Sequence, residues 1–107
     1  DDLFDIVNLQ IKKMEDFDGE IYNIGGGLKN SVSLFELTKL CQKISGKNIS
    51  IKAVPQDRPG DILSYISDNT KITTQTGWKP KRSVEETCTQ IHQWITDNSN
   101  TLQQILE

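Results

Sequence analysis

Residues 20–36 read EIYNIGGGLKNSVSLFE, and this stretch decides the fold prediction. Its first part, residues 20–24, is short and rich in β-branched and aromatic residues, which predicts a buried strand. Three glycines follow, and they allow the backbone to turn closely past another group. Ser33 and Glu36 then have the spacing of a capping box, which starts a helix at Leu34. A strand, a turn and a helix in this order indicate an α/β unit.

Apolar residues recur at helical or alternating spacing through the rest of the chain. They predict, in order, a helix over 1–15, the helix over 34–45 ended by Gly46 and a strand over 48–54. A short strand or extended segment over 62–67 comes next. A two-turn helix capped by Asp68 then stops at Gly77, a helix over 84–97 is opened by the capping box of Ser83 and Glu86, and a short amphipathic tail follows over 101–107. We therefore expect one small α/β unit, α+β-like, with few strands and flanking helices, over residues 1–107. Residues 98–107 are expected to be peripheral.

The length, net charge and apolar content of the chain restrict the class of protein. A chain of 107 residues fits one domain with a modest core. Its net charge of −3, without a run of Lys or Arg, argues against an electrostatic nucleic-acid surface. The chain shows no apolar stretch of membrane-spanning length and no signal-peptide pattern, so we expect a cytoplasmic protein. Because it starts at Asp1-Asp2, we also expect a piece of something longer.

Cys41 and Cys88 could form only one disulfide. Each lies on the apolar stripe of a predicted helix, which favours two reduced core thiols over a disulfide. A metal site is not expected around the single His92. The aromatic side chains of Tyr65 and Trp78 are expected in the core, not stacked on a ligand.

The loop that contains Arg58, Pro59, Gly60 and Asp61 combines two kinds of ligand group. The Arg58 guanidinium presents a planar, charged fork that suits two phosphate oxygens. An ionised Asp61 only accepts hydrogen bonds, which suits the paired hydroxyls of a ribose. Pro59-Gly60 stiffens and then turns the backbone between them. The pattern indicates half of a nucleotide-sugar site, and an ordinary polar turn stays open as the alternative.

The glycine run does not complete a dinucleotide-binding fingerprint. That motif needs Gly-x-Gly-x-x-Gly between a strand and a helix, and Gly25 and Gly27 supply only its first two glycines, since position 30 is Asn30. The predicted helix also begins only after Ser33. We therefore interpret the glycines as a turn that positions its neighbours.

Six motifs together resemble one family. They are Tyr22-Asn23-Ile24-Gly25-Gly26-Gly27, Ser31-Val32-Ser33-Leu34-Phe35-Glu36-Leu37, Arg58-Pro59-Gly60-Asp61, Ser67-Asp68-x-x-Lys71, Gly77-Trp78-Lys79-Pro80 and Ser83-Val84-Glu85-Glu86. The series is similar to the C-terminal, substrate-binding part of the extended short-chain dehydrogenase/reductases that act on nucleoside-diphosphate sugars. The sequences of the Tyr22–Gly27 and Arg58–Asp61 motifs are most similar to those of the CDP-paratose 2-epimerases. The UDP-glucose/galactose 4-epimerases and the 4,6-dehydratases share much of the same series.

The resemblance implies a set of substrate-binding residues. It places Arg58 on the diphosphate, Asp61 on the nucleoside ribose, and Asn23, Gly25 and Gly26 beside the nucleotide. It implies a C-terminal lobe without its Rossmann core, and a nucleoside-diphosphate sugar as ligand. The partner would be the missing Rossmann lobe or a second copy of the chain, most simply in a homodimer.

The resemblance also implies what the chain does not supply. The family uses a bound NAD together with a tyrosine and a lysine four residues later. Here Tyr22 is followed at that distance by Gly26, and Tyr65 by Asn69. The chain is thus expected to carry no catalytic, cofactor-binding or metal-binding residue and to be inactive alone, with NAD bound by a full-length parent. A stand-alone interaction module that keeps the fold without binding ligand is the alternative function.

Overall fold

The structure is a computed structural model that describes residues 1–54, 56 and 59–106. Its regular elements are helical. They are α1 (Asp2–Lys12), α2 (Met14–Phe17), a 3₁₀ helix (Leu28–Asn30), α3 (Leu34–Ser45), α4 (Thr70–Thr76), α5 (Val84–Asp97) and α6 (Ser99–Leu106). The first predicted helix is shorter than expected, because Lys13 leaves helical geometry and separates α1 from α2.

Local sequence signals account for the ends of the middle helices. Both predicted capping boxes are confirmed, with the Ser33 and Ser83 hydroxyls accepting from the amides three residues on. Both predicted glycine stops are confirmed too, since Gly46 and Gly77 adopt left-handed φ angles of 68° and 75° after α3 and α4. In each case the signal and the group it satisfies lie within one helical turn.

The strands predicted over 20–24 and 48–54 are corrected by the structure. Over 62–67, where a short strand or an extended segment is predicted, the strand is corrected as well. In the part of these stretches that the structure describes, the chain is non-helical and no strand is assigned. A strand requires ladder hydrogen bonds to a second backbone, whereas an alternating pattern reports only which face could be covered. The α/β fold class and its likeness to a C-terminal lobe stay predictions.

The chain divides into two units, and the first contains residues 1–31 and 64–82. Its core is formed by the buried side chains of Ile6, Ile72 and Trp78, which confirms the core assignment of Trp78. The indole also donates a hydrogen bond to the Asp2 carbonyl at 3.3 Å. Apolar side chains packed against this core come from four further residues, Leu9, Phe17, Tyr22 and Ile24.

The first unit leaves other apolar side chains uncovered. Tyr65 is 76% exposed, so its predicted place in the core is wrong. It lies in the irregular segment before α4, where no paired strand covers it. On α1, Leu3, Phe4 and Val7 are exposed, whereas Ile6 is buried.

The second unit contains residues 32–63 and 83–107, and its main packing is between α3 and α5. The Lys43 ammonium and the Glu85 carboxylate form an ion pair between these helices at 2.9 Å. Cys88 on α5 is partly buried, but Cys41 on α3 is exposed, so the prediction of two core thiols is wrong for Cys41. With one main neighbouring helix, the apolar stripe of α3 is only partly covered.

None of the helices in the described part of the chain has the length and apolar character that crossing a membrane would require.

Candidate functional site

The glycine turn is held by side chains from the segment that leads into α4. The Asn69 carboxamide accepts from the Gly25 amide at 3.0 Å and donates to the Gly25 carbonyl at 2.7 Å. The Ser67 hydroxyl accepts from the Gly27 amide at 2.9 Å. Two side chains thus satisfy three backbone groups of the turn, in the way that a neighbouring backbone would in a sheet.

Close approach explains why glycine is needed here. A Cβ on Gly25 would lie 2.4 Å from the Ser67 hydroxyl oxygen, and a Cβ on Gly26 would lie 2.9 Å from the Asn30 Cβ. Gly27 has a φ of 67°, in the left-handed region that side chains disfavour. The turn is therefore a tightly packed element, which agrees with its interpretation as a positioning turn.

A shallow cavity of about 460 Å³ opens beside this turn. Backbone and side chains from the turn and from the start of α4 line it, and apolar atoms make up most of its surface: Gly27, Leu28, Ile66, Ser67, Asp68, Asn69, Thr70, Thr73 and Thr74. Asn23, Gly25 and Gly26 do not belong to the lining, although they belong to the same unit. Asn23 is exposed.

Asp68 organises the beginning of α4. Its carboxylate accepts from the Thr70 hydroxyl at 2.5 Å and from the Thr70 amide at 2.9 Å. These two hydrogen bonds, the side-chain one foremost, hold the pKa of Asp68 below its ordinary value. The predicted cap at Asp68 is wrong by one residue, because Asn69 occupies the N-cap position and its side chain makes no cap hydrogen bond.

Pro59, Gly60 and Asp61, the described part of the predicted phosphate and ribose loop, belong to the second unit. Pro59 and Gly60 form a turn, as predicted, and Gly60 has a φ of 87°. Asp61 follows the turn and is exposed to solvent. Arg58 lies outside the residues that the structure describes. The two halves of the predicted site thus lie in different units, with Asn23, Gly25 and Gly26 in one and Asp61 in the other.

Sequence reasoning gave no role at the turn to Ser67 and Asn69. Both side chains contact glycines more than forty positions earlier in the chain, at separations of 40 and 44 residues. No local pattern relates two positions so far apart. The available signal was chemical, because three adjacent glycines need a polar neighbour that both donates and accepts, and Asn is such a side chain.

The glycine turn does not fit the pyrophosphate of a dinucleotide cofactor. A pyrophosphate cradle needs free amides at the start of an α-helix. The amides of Gly25 and Gly27 are donated to Asn69 and Ser67, and a short 3₁₀ helix follows the turn. Among the described residues, no group of three or more His, Cys, Asp or Glu side chains could hold a metal ion.

Tyr22 and Lys71 meet in space, but not as a proton-transfer pair. The Lys71 ammonium lies over the Tyr22 ring, 4.9 Å from its centroid. The Tyr22 hydroxyl donates to the Gln75 side chain at 2.6 Å. Lys71 is also paired with Glu20 at 2.5 Å. The contact is a cation–π interaction that packs the ring, so it gives the tyrosine no acid–base partner.

Comparison with known proteins identifies relatives. The chain is 35% identical over 81 residues to UDP-glucose 4-epimerase from Bacillus subtilis and 34% identical over 90 residues to the Caenorhabditis elegans enzyme. It is 38% identical over 77 residues to UDP-glucose 4-epimerase from Pisum sativum. The matches cover 76%, 83% and 72% of this chain.

The same matches cover only a small part of each relative. The chain spans 23%, 25% and 21% of the lengths of these three curated relatives. No protein-family model matches the chain, and no solved structure matches it. Over the matched stretch, the similarity supports the predicted family of nucleotide-sugar epimerases among the extended short-chain dehydrogenase/reductases, without singling out the CDP-paratose 2-epimerases within it.

Proposed function

We propose that this chain is the nucleotide-sugar-binding part of an NAD-dependent nucleotide-sugar epimerase and is inactive by itself. The observation that carries the proposal is its similarity to UDP-glucose 4-epimerases over most of its own length. The Arg58-Pro59-Gly60-Asp61 loop supplies the chemistry, since it places a cation and a carboxylate on either side of a turn. NAD and the proton-transfer residues would come from the rest of a longer protein.

In this function the loop holds the ligand by its polar ends. Arg58 binds the diphosphate through paired charge-assisted hydrogen bonds, and Asp61 accepts from the ribose hydroxyls. The exposed position of Asp61 and the left-handed Gly60 before it support this assignment. By fixing the diphosphate and the ribose, the loop positions the sugar for reaction in the complete enzyme.

Two members of the family are candidates for the native reaction. The UDP-glucose 4-epimerases are favoured by the relatives themselves, which carry that name. A CDP-paratose 2-epimerase is favoured by the amino-acid sequences of the Tyr22–Gly27 and Arg58–Asp61 motifs. The first predicts preference for a uracil base and the second for a cytosine base, so the two candidates differ in a measurable way.

Calorimetric titration of UDP and CDP into the chain tests the site. Arg58→Ala removes hydrogen bonds to a charged group, which are worth about 1.5–3 kcal/mol, so we expect at least a tenfold weaker affinity for either diphosphate. Lys47→Ala is the matched control, because it removes one exposed positive charge in the same unit. Equal binding by the wild type, Arg58→Ala and Lys47→Ala would contradict the proposal.

Uridine and cytidine separate the phosphate contact from the ribose contact. Neither nucleoside carries a phosphate, so Arg58→Ala should leave its affinity unchanged while Asp61→Asn weakens it. The base preference appears in the same experiment, as the ratio of UDP to CDP affinity. A loss caused by Asp61→Asn for free phosphate as well would show that Asp61 acts through folding and not through the ribose.

The alternative is a stand-alone assembly module that binds no nucleotide sugar. Its supporting observation is the exposed apolar face of α1, formed by Leu3, Phe4 and Val7. A second copy of the chain would bury this face in a homodimer, as would a Rossmann lobe in a longer protein. Titration distinguishes the cases, because both functions allow the chain to form a homodimer. The module predicts no UDP or CDP binding, either by the wild-type dimer or by a Phe4→Glu variant that light scattering shows to be dissociated.

A further inference from the structure

Cys41 and Cys88 come together where α3 packs on α5. The two residues are neighbours across this helix contact, and both cysteines are free. The ion pair of Lys43 with Glu85 links the same two helices at 2.9 Å. Cys41 lies two residues before Lys43 on α3, whereas Cys88 lies three residues after Glu85 on α5. These contacts describe one antiparallel helix pair in which Cys41 and Cys88 lie at about the same level.

The spacing of packed helices suits a disulfide at this place. Helix axes in contact are roughly 8–10 Å apart, and Cα atoms lie about 2.3 Å from each axis. Facing Cα atoms are then separated by about 3.4–5.4 Å, a range that overlaps the 4.4–6.8 Å that a disulfide usually spans.

We propose that Cys41 and Cys88 form a dithiol–disulfide site that is oxidised by a low-molecular-weight disulfide such as oxidised glutathione. In the first step the Cys41 thiolate attacks one sulfur of the oxidant, forms a mixed disulfide and releases one thiolate. In the second step the Cys88 thiolate attacks the Cys41 sulfur and releases the second thiolate. The two protein thiols lose two electrons and two protons, which the oxidant takes up as two thiols.

Exposure assigns the order of the two steps. Cys41 is exposed and can meet a dissolved oxidant, whereas Cys88 is partly buried between the helices. Burial is the main cause that raises the pKa of Cys88, and the neighbouring Cys41 thiol is the second cause. Because less of Cys88 is then present as thiolate, it is the poorer first nucleophile. Cys88 reacts instead within the protein, where the mixed disulfide on Cys41 is held next to it.

The bond would join two separate parts of the chain. The second unit is built from residues 32–63, which contain Cys41, and residues 83–107, which contain Cys88. A disulfide between them converts a packing contact into a covalent link within the unit that also carries Asp61. Oxidation should therefore stabilise this unit and leave the first unit chemically unchanged.

Incubation with oxidised glutathione, followed by intact mass and free-thiol titration, tests the site. The wild type should lose both thiols and gain no glutathione. Cys88→Ser should retain one glutathione on Cys41, because no thiol remains to displace it. Cys41→Ser should react at least tenfold more slowly than Cys88→Ser, because its remaining thiol is partly buried. A wild-type protein that keeps glutathione, or that links only to a second copy, would overturn the proposal.

Thermal unfolding gives an independent measurement. The oxidised wild type should unfold at a higher temperature than the reduced wild type, and dithiothreitol should reverse the shift. Cys41→Ser and Cys88→Ser should show no shift after the same treatment. Unchanged or lower unfolding temperature of a monomeric, fully oxidised wild type would show that the two cysteines do not form an unstrained pair.

Discussion

The Asn69 carboxamide forms a two-way hydrogen-bonded pair with Gly25, accepting from its amide at 3.0 Å and donating to its carbonyl at 2.7 Å. One side chain thus serves as the partner that a neighbouring strand would otherwise provide. This pair joins the glycine turn to the start of α4, and both belong to the first unit.

Asn69→Asp should destabilise the first unit. The carboxylate still accepts from the Gly25 amide, but it cannot donate to the Gly25 carbonyl and faces it with like charge. Loss of a hydrogen bond that leaves a partly buried group unsatisfied costs about 1–3 kcal/mol. Urea unfolding measures the change. Asn100→Asp, an exposed position on α6, is the control and should change the free energy of unfolding by less than about 0.5 kcal/mol.

Gly25→Ala should destabilise the protein through a specific clash with Ser67. The new Cβ would lie 2.4 Å from the Ser67 hydroxyl oxygen, and overpacking of this kind costs about 1–3 kcal/mol. Ser67→Gly removes both clashing atoms, so Gly25→Ala should cost much less when it is combined with Ser67→Gly. A double-mutant cycle of unfolding free energies measures this coupling. Equal costs in both backgrounds would refute the clash.

Asp2→Asn should reduce stability at neutral pH and less so in acid. The Asp2 carboxylate accepts from the Arg82 and Lys81 amides at 3.1 and 3.0 Å, and these bonds, that of Arg82 foremost, lower its pKa below the ordinary 3.8. Because the folded pKa is the lower one, the stabilisation is complete above about pH 4 and is lost as the pH falls through the folded pKa.

The measurement for Asp2 is the gap in unfolding free energy between wild type and Asp2→Asn at several pH values. The gap should be constant from pH 7 to about pH 5 and should narrow below about pH 4. Asp18→Asn, at an exposed turn, is the control and should show no such narrowing. If the difference in unfolding free energy widened in acid, the pKa of Asp2 would be raised by folding and not lowered.

Ser83→Ala should weaken the start of α5. The Ser83 hydroxyl accepts from the Glu86 amide at 3.1 Å, and loss of such a cap costs about 1 kcal/mol. Ser83→Gly should recover part of the loss, because glycine is tolerated at a cap. Urea unfolding measures both variants, with Ser50→Ala as the control at an exposed position outside the helices. An equal effect of Ser50→Ala would contradict the capping role.

The features predicted correctly from sequence are local ones. Ser33 and Ser83 satisfy amides three residues away, and Gly46 ends the helix that it follows. The two partners of each interaction lie within one helical turn of each other in the sequence. The interaction can therefore be predicted without knowing the rest of the fold.

The features that the sequence did not predict depend on distant partners. The strand expected over residues 20–24 needed a second backbone, but the turn after it is bonded to the Asn69 and Ser67 side chains. The exposure of Cys41 and Tyr65 depends on which elements pack against them. A pattern of apolar residues does not show which element that will be. Of the candidate site, the turn at Pro59-Gly60 and the exposed Asp61 are described, while the role of Arg58 stays a prediction.

The core of the first unit has a consequence for biosynthesis. Ile6 is buried against Ile72 and Trp78, which a ribosome adds much later. Since translation proceeds from the amino terminus at about 5–20 residues per second, α1 leaves the exit tunnel seconds before its packing partners. During that interval Ile6 has no native cover, so a nascent chain halted before Trp78 should be a better chaperone substrate than the finished one.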